Sequence, residues 1–478
     1  MSQHKELKEE HVPLKSRITV SAADGSVALI QAIIGGGALT YYFTRVRGLS
    51  PELASIVWII FGIWNAVNDP LFGHISDHTK TKLGRRIPYI RYGAPIIALS
   101  YILCWINWPG SEIAIFLQLL LFLFFYDTLY TAVATSLYIM PYEMAVSNRA
   151  RGNIFVWKII FSVFAIAAPL VIIPIIQPGP GDDPTFYQIF HISLGIIVGI
   201  IVFFSTFFYE EKHYKKEEYI PPFIESIKKT FKNRSFIIFE VISFTIIYIQ
   251  SGLMFGLFYY LDEFNVPILF LIIALFIGVF LGAYLFILNQ EKFGVKKSMQ
   301  IVTGIFSSSC FIILFFGRIL FFTILGFLGV GIGVVGGFYL IPLMNGDVID
   351  KDEAMTGERR EGMYAGVNSF VTKYAISLAQ SAFIWIILFF GYNNELPEGQ
   401  QDNLAENGIL IGWMLIPALL LLFCFIILNW YPLAGEEWKE TKEELKEIHE
   451  KKEKKYLEKL GYKYLEEESG ETHEANKK

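Results

Sequence analysis

The sequence predicts an all-α membrane protein of twelve transmembrane helices in two six-helix halves, and three observations predict it. Apolar runs of roughly 18 to 25 residues recur between charged or Pro- and Gly-rich breaks, the length a helix needs to cross hydrocarbon. The runs are continuous rather than alternating, which suits helices and not the strands of a barrel. Six of them precede a charged stretch at residues 210–235 and six follow it. At 54% hydrophobic and 16% aromatic over 478 residues, the chain is too apolar for a molecule whose whole surface meets water.

In order, the first half is expected to hold spans at Val20–Thr44, Pro51–Ser76, Tyr89–Trp108, Glu112–Met140, Asn153–Gln177 and Phe186–Tyr209. The second is expected to hold Phe236–Leu261, Val266–Gln290, Ser298–Phe316, Leu320–Asn345, Met363–Gly391 and Ile409–Tyr431. This divides the chain into an N-terminal segment (1–19), a first bundle (20–209), a linker (210–235), a second bundle (236–431) and a charged tail (432–478). Alternate loops differ sharply in Lys and Arg: one set carries 20, the other only Arg45, Arg47 and Arg318. That asymmetry places both termini and the linker in the cytoplasm.

The halves echo each other. Leu83-Gly84-Arg85-Arg86 joins the second and third spans, and Phe293-Gly294-Val295-Lys296-Lys297 joins the eighth and ninth. Pro141 followed by Arg149 to Gly152 after the fourth span matches Pro342 followed by Arg359 to Gly362 after the tenth. Two repeated halves with a cavity between them follow from this pattern.

The net charge of -5 comes mostly from ends and loops and points to no nucleic-acid partner. The lipid bilayer is the expected surrounding, and a monomer the expected state. Cys104, Cys310 and Cys424 each sit in an apolar run, without the spacing of a metal site or disulfide framework. No signal peptide is expected at the polar start Met1 to Lys15. The Glu- and Lys-rich tail reads as a solvated cytoplasmic helix.

Ionisable groups in hydrocarbon are costly, so each one calls for a partner or a purpose. In the second span Asn65, Asn68 and Asp69 fall at i, i+3 and i+4 and share a face. One carboxylate and two amide oxygens suit a small cation, a lone carboxylate suits a proton, and the same set suits a polar packing network with Pro70 as a kink. Asp127 and Thr131 of the fourth span, with Tyr126 and Tyr130 beside them, either complete a cation site, bond a hydroxylated solute, or form an interhelical hydrogen bond. Lys158 and Lys373 are the intramembrane cations. Lys158 is near enough to its helix end to snorkel, whereas Lys373 lies near the midplane and is the better candidate for a solute. Asp77 and the turn Gly84-Arg85-Arg86 read as a latch between helix ends that breaks when the cavity changes side. No phosphate-binding loop, zinc-protease helix or nucleophile elbow occurs, so neither an ATP motor nor an enzyme is expected.

Several stretches together resemble the major facilitator superfamily and, within it, the glycoside-pentoside-hexuronide:cation symporters of the melibiose-permease type. They are Tyr41-Tyr42-Phe43-Thr44 to Gly48-Leu49-Ser50, Trp64 to Pro70 running into Gly84-Arg85-Arg86, Asp127-Thr128-Leu129-Tyr130-Thr131, and Asp347-Val348-Ile349-Asp350 through Arg359-Arg360-Glu361-Gly362-Met363. The resemblance covers nearly all of the chain except the tail. It implies a cation site at Asp69, Asn68 and Thr131, a lysine at Lys373 linking cation and sugar sites, and sugar contacts at Asn368, Ser369 and Tyr130. Phe338 takes a position that the family pattern fills with Trp. Asn65 stands where that pattern has a second cation-binding Asp, which leaves less charge to hold Na⁺ and favours H⁺. Leu29, and either Val133 or Ala134, replace two galactoside-binding carboxylates, so a galactoside in the same pose is not expected.

The expectation is a plasma-membrane symporter that moves a sugar or glycoside with H⁺ or Na⁺ by alternating access. It uses no cofactor, and no metal beyond Na⁺. A lipid or other amphipathic solute on the same scaffold, or a non-transporting membrane sensor, are the alternatives.

Overall fold

The protein is described from a computed structural model covering residues 10–77, 79, 81–179, 181–211, 230–287, 290–357, 360–460 and 462. Most of the linker and the end of the tail lie outside the described residues, as do the side chains of Asp69 and Asp77.

Twelve long helical segments cross the molecule. In the first half they are α1 (Leu14–Gly35), α2 (Pro51–Asp77), α3 (Ile87–Trp105), α4 (Glu112–Met144), α5 (Asn148–Ile176) and α6 (Thr185–Ser205). In the second they are α7 (Arg234–Phe264), α8 (Ile268–Ile287), α9 (Gln290–Phe316), α10 (Leu320–Thr356), α11 (Glu361–Phe389) and α12, which runs as Asn403–Leu410, a wide π turn Ile411–Leu415 and Ile416–Ile427. Among the described residues, 11 helices are long and apolar enough to span a bilayer. The other segment, α2, has the length at 27 residues and carries Asn65, Asn68 and Asp69.

Each half packs as a bundle. In the first, α1 lies on α4, α5 and α6, while α4 packs on α2 and α3. In the second, α10 lies on α7, α8 and α9, and α12 on α7 and α9. The halves meet chiefly where α2 runs along α11. The face that carries the residue 211–230 connection and both terminal segments is called the terminal face, and the opposite one the far face.

The first span is not one helix. It breaks at Gly35-Gly36-Gly37 and resumes as the short helix Ala38–Tyr41 and the wide turn Tyr42–Val46. Gly37 has φ 91°, and a Cβ there would lie 2.4 Å from the Cβ of Phe255 on α7, so both backbone and neighbour demand glycine. The fourth and tenth helices also run past Pro141 and Pro342, which sit inside them. At 37 residues α10 is about 55 Å long and projects beyond the hydrocarbon at the terminal face.

That projection receives the tail. The helix α13 (Glu436–Leu460) forms as its charge spacing predicts, yet it is docked rather than solvated all round. It buries Trp438, Leu445 and Leu457. Lys442 Nζ lies 2.6 Å from Asp347, while His449 Nε2 and Lys452 Nζ reach the buried Glu353 at 2.7 and 3.1 Å. Arg360 holds the neighbouring Asp352 through Nε at 2.7 Å. The sequence pattern showed the helix, but not that α10 would extend far enough to offer it carboxylates. Replacing Glu353 by Ala removes the shared acceptor, and amide hydrogen exchange is expected to accelerate across α13 while α12 stays protected.

Candidate functional site

At mid-depth the polar residues of α2 and α4 converge. Asn68 Nδ2 donates to Asp127 Oδ2 at 3.0 Å, to the Asp127 carbonyl at 3.2 Å and to Thr131 Oγ1 at 3.0 Å. All three residues are buried, so the amide serves as the hub of an oxygen-rich cluster. Helix geometry explains the meeting, since Asp127 and Thr131 are one turn apart on α4 and Asn65, Asn68 and Asp69 share a face of α2. Asn65 is buried as well, and its Oδ1 has no hydrogen-bond partner. An unpaired buried acceptor is costly, and among the described residues this oxygen has none of its lone pairs engaged. The Asp69 side chain lies outside the described residues, although its backbone follows Asn68 on α2.

Lys373 crosses from the other half. Its Nζ donates to the Asn65 backbone carbonyl at 3.1 Å, so α11 places a cation on the helix that carries the polar cluster. One turn earlier, Ser369 shares its face, and Asn368 Oδ1 is buried without a partner. Tyr130 stacks on Tyr126 at 6.0 Å between ring centroids, and Trp64 stacks on Phe124 at 5.2 Å, so aromatic faces flank the cluster. Phe338 on α10 is 40% exposed.

Lys158 is held elsewhere. It pairs with Asp24 of α1 at 3.1 Å, within the first bundle. Asp24 did not stand out in the sequence, although a lone acid in an apolar run is the ordinary signal for such a partner.

The turn between α2 and α3 is held by the start of the linker. Backbone N–H groups of Arg85, Arg86 and Ile87 donate to the Glu211 carboxylate at 2.6 to 2.7 Å. A carboxylate on three donors at the start of α3 also meets the positive end of the helix dipole. Gly84 has φ 110°, and a Cβ there would strike that carboxyl. Arg85 bonds Glu143 at the end of α4 at 2.9 Å, which joins helix ends of the same half. The side chain of Asp77, the remaining member of the expected latch, lies outside the described residues.

The far face is closed by a network that sequence reading missed. Tyr41 donates to Asp262 of α7 at 2.5 Å, and Arg45 Nε lies 3.5 Å from the same carboxylate. Arg45 also donates to the Asn394 carbonyl at 2.7 Å, and Asn394 Nδ2 returns a bond to the Thr44 carbonyl at 2.6 Å. Thr40 receives the Trp58 indole N–H at 2.7 Å and bonds Gln380 of α11 at 2.8 Å, while Gln380 donates to the Gly35 carbonyl at 3.0 Å. Burial pushes the Tyr392 phenol well above its ordinary value, so it stays neutral under the Arg45 guanidinium. The signal for this gate was the Tyr41 to Thr44 stretch, which marked a resemblance without marking a partner.

The two halves are thus joined at the far face by this network and at mid-depth by a contact that includes Lys373. The family described as MFS/sugar transport protein matches residues 27–435. The chain belongs to that family. Members of the major facilitator superfamily (MFS) are membrane transporters and not enzymes. The glucuronide carrier protein homolog of Escherichia coli is 22% identical over 444 residues, spanning 89% of this chain and 94% of that protein. The mouse sodium-dependent lysophosphatidylcholine symporter 1 is 37% identical over 101 residues, 20% of this chain and 19% of its own. The crystal structure of a D-xylose-proton symporter has the same fold, with a TM-score of 0.62 at 12% identity over 86% of this chain and 96% of that one.

Two outcomes check this transporter's site. Asn68→Ala removes the donor that Asp127 and Thr131 share and is expected to lower stability by about 1 to 3 kcal/mol, read as a fall in Tm. Arg45→Ala leaves the half-buried Asp262 carboxylate without its guanidinium partner, and a cysteine placed between the halves is expected to gain reactivity towards a thiol reagent added from the far side.

Proposed function

We propose that this MFS protein is a secondary symporter that moves a sugar or glycoside together with H⁺ or Na⁺ by alternating access. The observation that carries the reading is the Lys373 bond to the Asn65 carbonyl, 3.1 Å long, beside the Asn68, Asp127 and Thr131 cluster. The ion belongs on Asp69, Asn68 and Thr131, with Asn65 alongside. The solute sits between the halves against Lys373, Asn368, Ser369, Tyr130 and Asp127, with Phe338 at its edge. Lys158 reaches it only by leaving Asp24. An ion that neutralises Asp69 frees Lys373 to engage solute, and only the doubly loaded site favours the closed intermediate.

The bodies that rock are residues 20–209 and 236–431. The closed far face gives an arrangement accessible from the terminal face, and the 20 to 3 excess of Lys and Arg puts that face in the cytoplasm. The plasma membrane is the proposed location and a monomer the working unit. One acidic group fewer in the site favours H⁺ over Na⁺. The relative named a glucuronide carrier supports the sugar class.

A second reading is a lysolipid or other amphipathic solute. The segment 37% identical to a lysophosphatidylcholine symporter supports it.

Uptake into vesicles under imposed pH or Na⁺ gradients tests coupling, and Asp69→Asn is expected to abolish gradient-driven uptake. Undiminished uptake by that variant refutes the assigned role. Thermal stabilisation by sugars, glycosides and lysolipids, with and without Na⁺ at two pH values, separates the solute classes.

A further inference from the structure

Helix α7 carries a carboxyl group that nothing above uses. Glu240 is 4% exposed, and among the described residues neither Oε1 nor Oε2 has a hydrogen-bond partner. Ser243, one turn further on the same face, is also buried, and its Oγ has no partner. An unpaired carboxyl in such surroundings is costly to charge unless a proton or a cation compensates it.

What Glu240 faces follows from helix register. Phe236 packs on Tyr364 of α11 at 5.0 Å, and Phe255 packs on Phe383 at 5.2 Å. The two contacts are nineteen residues apart on each helix, so α7 and α11 run side by side in a constant register. Glu240 stands four residues beyond Phe236, and Asn368 stands four beyond Tyr364, which puts each on the face of its own helix that makes the contact, at one depth. Asn368 Oδ1 is the buried acceptor without a partner. A neutral Glu240 offers one O–H donor and Asn368 lacks one.

We propose that Glu240 is a proton-binding site of the second half, and that its proton is shared with Asn368 Oδ1. The proton comes from bulk water and returns to it, with no other bond made or broken. While Glu240 is protonated Asn368 is engaged; once the proton leaves, Asn368 is free to bond solute, and the vacated carboxylate needs water or a cation.

The titratable and charged groups around it are few. On α10, Asp347 is occupied by Lys442, and Asp350 lies beyond it towards the terminal face. On α11, Tyr364 accepts from Asn233, and Lys373, five residues past Asn368, reaches Asn65. On α12, Cys424 bonds Thr245 and Tyr431 lies at the terminal end. On α7 itself Arg234 is at the start of the helix. The segments Ala38–Tyr41, Asn403–Leu410 and Ile411–Leu415 pack on the opposite end of α7.

The role of Asn368 rests on the symport reading, but the proton site does not, and infrared difference spectroscopy of the purified full chain between acid and alkaline pH separates them. The wild type is expected to show a carboxylic-acid C=O band that vanishes on alkalinisation. Glu240→Gln, nearly the same shape, is expected to lose the band; Asp69→Asn is expected to keep it; Asn368→Ala is expected to keep it at a shifted frequency, because the acceptor is gone. A wild-type difference spectrum with no titrating band, or one that Glu240→Gln leaves unchanged, overturns the proposal. If the band behaves as expected and no solute is taken up under any gradient, the symport reading fails and the proton site stands.

Discussion

A lysine ammonium in the middle of a membrane must find acceptors, and here one of them is a backbone carbonyl on the opposite half. The 3.1 Å bond from Lys373 to Asn65 is therefore more than a contact. It ties the helix that carries the oxygen cluster to the helix that carries Asn368 and Ser369. A carbonyl has a second lone pair to give, but it holds no net charge, so it holds the lysine less firmly than a carboxylate or an anionic solute would.

The far gate is built on the opposite principle. Asp262 receives a phenol and a guanidinium, Arg45 reaches two elements of the other half, and Gln380 both donates and accepts across the boundary. Each bond is modest by itself, yet all of them must be broken together for the far face to open. The turn held by Glu211 on three N–H donors works the same way at the terminal face, by fixing α3 and α4 to each other and to the start of the linker.

Much of the fold was legible because lipid leaves few choices. Length, continuity and the basic-residue pattern specify spans, and the i, i+3, i+4 spacing of Asn65, Asn68 and Asp69 put them on one face before any neighbour was known. The meeting of Asn68 with Asp127 and Thr131 was only half legible: each set shared a face of its own helix, but periodicity does not say which helices adjoin. Relations across the halves were hidden for the same reason. Nothing local to Arg45 announces Asp262, more than two hundred residues away. Breaks inside spans were also hidden. The glycine run at 35–37 is compatible with an uninterrupted helix until Phe255 is seen to occupy the space a side chain would need.

The claim on which this account turns is that Lys373 transmits the state of the ion site to the solute site. Isothermal titration of the stabilising solute, with and without the coupling ion, compares wild type with Lys373→Met. The account predicts that the ion changes solute affinity in the wild type by a factor in the usual range of about 5 to 150, and that the factor falls to near one in the variant while both ligands still bind. An unchanged factor in Lys373→Met would contradict it.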